Sequence, residues 1–294
     1  MAVLGAMRPD LTSRPIREED RAQVADCLFR GFPYKGKKYW ELALDRMASR
    51  PAVRDCPKYG YALDDSGKIV GVVLQLFSLY RIDGVETIRC NLSSWCVDSD
   101  YRSYAIRMVA AAIKRKDITY TTISPVPRTR RAAEGIGFRR YSNGQLVFAP
   151  ALSPSQSGGT VLEYSQRLPE AALLSADERG LLEEHAGLGC RSLICVKDGK
   201  AVPFVFVERW ILKDLVPYWQ LVYCHSIDDL ADWTGSLGRF LLRQGVMFCV
   251  ADSNGAIPGV IGWYRSDWVP RYFKGPLAPP LGDLSFTELV VFGP

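Results

Sequence analysis

The alternation of apolar and polar residues predicts a regular series of strands and helices in the first half of the chain. A short strand at residues 12–16 precedes a helix from about Glu18 that should bury Val24, Cys27 and Leu28, and KKYWELALDRMA predicts a second helix. The stretch from YGYALDD to SSWCV predicts three strands joined by tight turns in DDSGK and RIDGVE. A helix over about 103–114, a strand in ITYTTIS, a helix in RTRRAAEGI and a strand in FRRYSNGQLVFA complete the order β, α, α, β, β, β, α, β, α, β.

The segment after this series predicts a break between two domains. Residues 149–160, APALSPSQSGGT, combine Pro, Ser and Gly without an apolar period, which is typical of a linker. A chain of 294 residues also fits two domains of ordinary size better than one. We therefore expect an N-terminal domain over residues 1–149, a linker over 150–160 and a C-terminal domain over 161–294.

The second half resembles the first. GKIVGVVLQL, from Gly67, is similar to GKAVPFVFVE, from Gly199. WCVDSDYRSYAIRMVAAAIKRKDITYTTIS is similar to YCHSIDDLADWTGSLGRFLLRQGVMFCVAD without a gap, so that Cys96 corresponds to Cys224, 128 positions later. Chance similarity between two amphipathic segments is the alternative, but the preserved lengths favour a duplication. The predicted fold class is therefore α/β, with two tandem domains that each hold a mixed, mostly antiparallel sheet flanked by helices.

Composition limits the classes of function. The chain is 48% hydrophobic and 23% charged, and no window approaches the ~20 apolar residues of a membrane span. The opening MAVLGAMRPD is too short and too quickly charged for a secretory signal, so we expect a cytoplasmic protein that is not bound to a membrane. A net charge of +5 is too mild for dedicated nucleic-acid binding.

The eight cysteines predict buried, reduced thiols. None forms a CxxC pair, and most lie in apolar runs such as SLICVK. Only His185 and His225 are present, which excludes a His-rich metal site, and we expect no metal. Cys224 and His225 are adjacent, so on a strand they point to opposite faces and cannot act as a nucleophile and its base.

Three features of the first half, about residues 10–149, resemble the GNAT superfamily of acyl-CoA-dependent N-acyltransferases. They are the element order, the turn VDSDYRSYAIRMV, which resembles the V-x-P-x-x-R-x-x-G-x-G pyrophosphate loop of that family, and GIGFRRY, which resembles its terminal GF stretch. Val97 and Arg102 match the loop pattern, Ala105 and Arg107 stand in place of both glycines, and Ser99 replaces the proline. The resemblance implies a tandem GNAT protein whose second half is a degenerate copy.

The resemblance implies an acyl-CoA site at this turn, with acetyl-CoA or another acyl-CoA as co-substrate. Backbone N–H groups at a helix start favour an anion, and they require no particular side chain. The equivalent turn of the second half holds Asp228, Asp229 and Asp232, which cap helices well and repel pyrophosphate. A capped helix with a solvated Arg102 is the alternative for the first turn. The candidate cofactor-binding residues are Cys96, Val97, Arg102, Ser103, Tyr104, Ala105, Ile106, Arg107 and Arg128.

Catalytic residues are harder to assign. GNAT enzymes often carry a carboxylate on the strand before the loop, where this chain has Asn91, Ser93 and Ser94, and a tyrosine where it has Ala133. Ser94 or Ser124 could orient a water molecule, although an ordinary strand serine is the alternative for each. The resemblance implies direct attack of an amine on the thioester, helped by positioning and a polarising backbone N–H.

The C-terminal tail is rich in aromatic residues. GWYRSDWVPRYFKGPLAPPLGDLSFTELVVFG predicts a long loop that lines a cleft, followed by a final strand. Trp263, Tyr264 and Trp268 are then candidates for binding the acceptor, and packing between the halves is the alternative. The predicted function is acyl transfer to a small-molecule or peptide amine, and the alternative is a noncatalytic scaffold. The acceptor, the acyl chain length and the oligomeric state stay open.

Overall fold

A computed structural model describes residues 10–82, 84–154, 159–211 and 215–293, without the side chains of Ile82 and Arg128. The chain divides into two compact units. Unit 1 comprises Met1–Arg139 and Phe273–Ala278, and unit 2 comprises Arg140–Tyr272 and Pro279–Pro294, within the described ranges. Each unit is therefore built mainly from one half of the sequence and takes a small part from the other.

Unit 1 follows the predicted order of elements. Its helices bury one apolar face each, as their periodicity requires. Val24, Cys27 and Leu28 are buried as predicted, and Met108, Val109 and Ala112 are buried on the helix after the loop. The elements are β1 (Leu11–Pro15), α1 (Arg21–Gly31), α2 (Lys37–Ser49), β2 (Gly60–Asp65), β3 (Lys68–Ile82), β4 (Val85–Val97), α3 (Ala105–Ala112), β5 (Ile118–Thr122) and α4 (Pro127–Gly135).

The sheet of unit 1 opens between two parallel strands. Its order is β1-β2-β3-β4-β5, and all neighbours are antiparallel except β4 and β5. The β4–β5 pairing runs from Ile88↔Ile118 to Asn91↔Thr121, after which β4 continues to Val97. The two strands therefore separate after Asn91.

A β-bulge interrupts β4 within this open region. The register with β3 shifts between Leu74↔Ser93 and Val72↔Cys96, so β4 holds one extra residue there. Ser94 has φ of 53°, a left-handed conformation that non-glycine residues rarely adopt. The bulge breaks the backbone ladder near the start of the loop.

Unit 2 contains a similar series of elements. Its sheet order is β12-β6-β11-β10-β9-β8-β7, with β10 and β11 parallel. Leu230, Trp233, Leu237 and Leu241 of its longest helix pack into the hydrophobic core. The elements are β6 (Arg139–Phe148), β7 (Thr160–Glu163), α5 (Ala176–Gly187), β8 (Arg191–Lys197), β9 (Lys200–Ile211), β10 (Val216–Cys224), α6 (Ile227–Arg243), β11 (Cys249–Ser253), β12 (Gly262–Lys274) and α7 (Glu288–Val291).

The central pair of unit 2 repeats two features of unit 1. The β10–β11 pairing ends at Gln220↔Val250, and the β10–β9 register shifts between Leu221 and Tyr223. The shift falls at Val222, which is 128 positions after Ser94. The equivalence of the bulges supports the predicted repeat, and the tandem interpretation itself stays a proposal.

Strand β6 differs from its predicted place. The sequence pattern placed residues 139–148 in the N-terminal domain, whereas this strand lies in unit 2 because it pairs with β11 from Phe148↔Cys249 to Gly144↔Ser253. Phe273–Ala278 lies in unit 1, where the Thr119 hydroxyl donates to the Leu277 carbonyl at 3.0 Å. The compact units therefore exchange short segments relative to the predicted boundaries.

The first part of the predicted linker is packed closely. Pro150–Leu152 forms a 3-10 turn against α6, where a Cβ at Gly238 would lie 2.2 Å from the Ala151 nitrogen. A Cβ at Gly235 would lie 2.3 Å from the Pro154 carbonyl oxygen, so glycine is required at both positions. Residues 155–158 of the linker lie outside the described residues.

The tail prediction was wrong in its secondary structure. Residues 262–274 form the strand β12 rather than a loop, and the expected final strand is the short helix α7. The N–H groups of Val290 and Val291 donate to the Thr287 carbonyl, which closes a helical turn over buried Val290 and Val291. Among the described helices, none is both long and apolar enough to cross a membrane.

Candidate functional site

The turn between β4 and α3 forms a helix start without a side-chain cap. Ser99–Tyr104 is a 3-10 turn that leads directly into α3, and neither helical segment receives a hydrogen bond from a capping side chain. The first turn of α3 contains no acidic residue, and the first turn of the 3-10 segment contains one, Asp100. The partial positive charge of this helix start is therefore available to an anion.

Eight of the nine predicted cofactor-binding residues lie on the end of β4, the 3-10 turn and the start of α3, and the ninth, Arg128, lies in α4. Val97 pairs with Gly71 at the end of β4, and Cys96 is half-buried. Arg102 and Arg107 are exposed, and neither forms an ion pair with a residue in the described part of the chain. Ser103 and Ile106 are exposed, and Tyr104 and Ala105 are half-buried. Arg128 lies in α4, but its side chain lies outside the described part.

Three polar contacts anchor the start of the loop. The Arg30 guanidinium donates to both carboxylate oxygens of Asp98, at 3.1 Å and 2.8 Å. The Tyr101 hydroxyl donates to Asp65 at 2.5 Å. The Asp98 N–H donates to the Val70 carbonyl at 2.8 Å. These contacts tie the loop to α1, β2 and β3 before α3 begins.

The two candidate catalytic serines lie on the two arms of the opening. Ser94 is three residues beyond Asn91 on β4, and Ser124 is three residues beyond Thr121 after β5. The Ser94 hydroxyl is 2.9 Å from that of Ser93, and Ser124 is exposed. Both serines therefore lie beyond the last paired residues of β4 and β5.

Cys96 is poorly suited to act as a nucleophile. Its thiol interacts with that of Cys27, and this contact and burial raise the pKa of Cys96 well above its ordinary value. The Cys96 thiol also donates to the Cys27 carbonyl at 3.8 Å. Since the thiolate is the nucleophilic form, Cys96 stays a thiol near neutral pH.

The equivalent turn of unit 2 has a side-chain cap and more acidic residues. Helix α6 is capped by Ser226, whose hydroxyl accepts from the Asp229 N–H at 3.0 Å. Asp228 and Asp229 occupy its first turn. A cavity of about 570 Å³ lies between this helix start and residues 253–258, and the exposed carboxylates of Asp228 and Asp232 line it. An anion would meet a capped helix and negative charge here.

The open edge of β10 is covered by the chain itself. The Leu284 N–H donates to the Val222 carbonyl at 2.7 Å, and the Cys224 N–H donates to the Gly282 carbonyl at 2.9 Å. Asp283 pairs with Tyr223 as an isolated bridge. This C-terminal segment, residues 282–284, continues the ladder of β10 past the bulge. Within the described part of unit 1, no such segment is hydrogen-bonded to β4 beyond Asn91 on the β5 side.

The three candidate acceptor-binding aromatics lie on β12 in unit 2. Trp263 is 68% exposed, whereas Tyr264 and Trp268 are half-buried. The Arg265 guanidinium lies 5.4 Å from the Trp263 ring centre and 4.2 Å from that of Trp268. The strand thus brings two of the three predicted aromatics together around one cation.

Sequence patterns missed the residues that anchor and interrupt this site. Arg30 and Asp98 are 68 positions apart, so no local pattern connects them. The bulge at Ser94 lacks the glycine that often marks such a position. The cover over β10 was missed because residues 282–284 resemble an ordinary proline-bounded loop.

Comparisons with known proteins bear on the fold. No protein-family model matches the sequence, and no curated protein matches it. Among solved structures, a GCN5-related N-acetyltransferase from Anabaena variabilis superposes with a TM-score of 0.59 at 10% identity, over 90% of this chain and 72% of that one. A second, from Kribbella flavida, has a TM-score of 0.53 at 13% identity, over 90% of this chain and 70% of that one.

A third likeness extends over two whole chains. A Pyrococcus horikoshii protein, provisionally assigned as an acetyltransferase, superposes with a TM-score of 0.57 at 11% identity, over 99% of this chain and 98% of that one. The predicted resemblance is thus confirmed at the level of the fold. The chain has the GNAT fold, with the mixed, mostly antiparallel strands and flanking helices that the sequence predicts.

Proposed function

We propose that the chain is an acyl-CoA-dependent N-acyltransferase whose co-substrate binds in unit 1. The observation that carries the proposal is the uncapped start of α3 beside the opening between β4 and β5. A phosphate group suits such a helix start because backbone donors and the helix dipole favour an anion. Arg102 and Arg107 lie within the same two turns and carry positive charge to it.

The other residues at this site fit an extended thioester co-substrate. The edge of β4 beyond Asn91 offers backbone groups to an extended ligand, as the equivalent edge of β10 does to residues 282–284. The bulge at Ser94 takes backbone N–H groups out of the regular ladder, where one could polarise a carbonyl. Acyl-CoA supplies the activated acyl group when it is bound.

The chain's own contribution to the chemistry is positioning and proton transfer. An amine held in the opening would attack the thioester carbon, the carbon–sulfur bond would break, and the amine proton would pass towards the leaving sulfur. The strand before the loop carries Asn91, Ser93 and Ser94 instead of a carboxylate. Ser94 and Ser124 are therefore the proposed relay residues, acting on water and not as nucleophiles.

The proposed acceptor is a small-molecule or peptide amine. Trp263, Tyr264 and Trp268 are proposed to recognise it, because exposed aromatic rings bind amines and flat groups by stacking and cation–π contacts. No nucleic acid, metal or membrane is part of the proposal, and a cytoplasmic location stays a prediction.

Two linked measurements test the proposal. Titration calorimetry with coenzyme A should show binding, and a panel of amines with acetyl-CoA and longer acyl-CoAs should then release free thiol with at least one acceptor. Binding without transfer to any amine would favour the noncatalytic scaffold. Absence of binding would contradict the proposed function.

A further inference from the structure

Arg30 and Asp98 form a two-point ion pair at the entrance of the candidate phosphate loop. Arg30 Nε lies 3.1 Å from one carboxylate oxygen of Asp98, and Nη2 lies 2.8 Å from the other. Nη2 also donates to the Ile69 carbonyl at 3.2 Å. Arg30 lies near the end of α1, so this pair joins a helix to the loop across β3.

Asp98 occupies a sensitive position for an anion site. It is the residue before the 3-10 turn Ser99–Tyr104, and its carbonyl accepts from the Tyr101 N–H at 3.0 Å. A carboxylate at a helix start usually competes with a bound anion for the same backbone donors and the same dipole. Here the carboxylate forms no side-chain cap and turns to Arg30 instead.

The pair is partly removed from solvent. The side chain of Arg30 is 43% exposed and that of Asp98 is 27% exposed. The hydrogen bond to Asp98 raises the pKa of Arg30, although burial opposes this, so the guanidinium stays charged. A charge interaction at this depth is screened less than one at the open surface.

We infer that Arg30 is a positioning residue for the proposed phosphate site: it neutralises Asp98 and holds that carboxylate away from the N–H groups at the start of the loop. This inference rests on the proposed function. In this inference Arg30 does not contact the co-substrate. The net charge of the Arg30–Asp98 pair, which is zero in the native chain, then contributes to the affinity for a pyrophosphate group.

A double-mutant cycle tests this inference with coenzyme A as the titrant. Arg30→Gln leaves Asp98 negative and should weaken binding about tenfold, whereas Asp98→Asn leaves Arg30 positive and should strengthen binding about twofold to threefold. The double variant restores zero charge, and its dissociation constant should lie within about twofold of the native value. Dephospho-coenzyme A keeps the pyrophosphate and should show the same pattern.

A purely structural role predicts different results. It would make Asp98→Asn as harmful as Arg30→Gln, and the double variant would recover nothing; either result would overturn the inference. Unfolding midpoints of all four proteins identify loss of fold, and the effect of Asp98→Asn can be read even if Arg30→Gln fails to fold. A native chain that binds no coenzyme A would instead overturn the proposed function, and this inference with it.

Discussion

The 3-10 turn Ser99–Tyr104 that leads into α3 and the start of α6 lie at equivalent points of two similar series of elements, because Ser99 corresponds to Ile227, but they offer different surroundings to an anion. Neither this 3-10 turn nor α3 has a side-chain cap; the turn carries one acidic residue, Asp100, and Asp98 before it is held by Arg30. The start of α6 is capped by Ser226 and carries Asp228 and Asp229. The two helix starts therefore differ in capping and in the number of acidic residues, and the proposed phosphate site is assigned to the uncapped one.

The strands before these helices, β4 and β10, differ in whether the chain covers their edge beyond the bulge. Both carry a bulge at the equivalent position, and both lose their parallel partner shortly before it. On β10 the released backbone groups at Val222 and Cys224 are hydrogen-bonded to residues 282–284. The comparison shows that the chain itself occupies the edge of β10 beyond the bulge, and the proposed ligand site is therefore placed at the edge of β4.

The largest expected effect concerns the cover over β10. Leu284 is 2% exposed, so Leu284→Ala should lower the free energy of unfolding by about 2–5 kcal/mol through the lost apolar contacts and the cavity left behind. Leu215 is 77% exposed, and Leu215→Ala should change the free energy of unfolding by less than about 0.5 kcal/mol. Urea unfolding followed by tryptophan fluorescence measures both.

A removable cover would give another result. If Leu284→Ala left the stability unchanged and created an additional site for coenzyme A, residues 282–284 would be a displaceable lid. The edges of β4 and β10 would then be similar binding sites, of which the second is closed by a segment that can move away.

The next effect concerns the charge beside α3. Arg102→Glu places a negative charge beside the proposed pyrophosphate and should cost about 1–3 kcal/mol of binding free energy, the usual scale for losing a charge-assisted hydrogen bond. Asp228→Ala, at the start of α6, should leave the affinity unchanged. Calorimetric titration with coenzyme A measures the affinity of both variants. Equal losses of affinity would contradict the assignment of the site to unit 1.

A smaller effect separates the capped helix from the uncapped one. Ser226→Ala removes the hydroxyl that accepts from the Asp229 N–H and should cost about 0.5–2 kcal/mol of stability. Ser99→Ala should cost less than about 0.5 kcal/mol, because within the described residues the Ser99 hydroxyl bonds only the exposed Asp100 carboxylate. Similar losses in thermal unfolding would show that the α3 turn is capped after all.

The smallest expected effect is an absence of reaction at Cys96. Because the pKa of its thiol is raised, the thiolate fraction near neutral pH is below that of an ordinary cysteine and grows only as the pH rises. Intact mass after incubation with acetyl-CoA and no acceptor should show no acetyl adduct at pH 7. Stoichiometric label that disappears in Cys96→Ser would replace direct attack with a covalent mechanism.

Periodicity predicted the elements of the first half because each helix and strand there buries a clear apolar face. Val24, Cys27 and Leu28 repeat at helical spacing, and all three are buried. The exchange of β6 and of residues 273–278 between the units could not be predicted, because pairing partners depend on contacts far apart in sequence. Tail residues 262–274 were mistaken for a loop because Gly, Pro and polar residues interrupt the alternation, which in β12 is broken by positive φ at Asp267 and Val269.

Sequence patterns predicted the local part of the candidate site and missed the part that depends on tertiary contacts. The turn from Val97 to Arg107 could be found from its residues, since a strand, a polar turn and a basic helix follow one another in sequence. The Arg30–Asp98 pair and the opening at Asn91↔Thr121 arise from tertiary pairing, so no local pattern indicates them. Ser94 was selected for its hydroxyl, but its more distinctive property is a left-handed backbone in a bulge.

The stoichiometry of coenzyme A binding tests the central claim most directly. Calorimetric titration of the native chain should give one coenzyme A per chain, because α3 presents an open helix start whereas α6 is capped, acidic and preceded by a covered strand. The single site should weaken in Arg102→Glu and persist in Asp228→Ala. Two sites of similar affinity, or one site that Arg102→Glu leaves intact, would contradict the account.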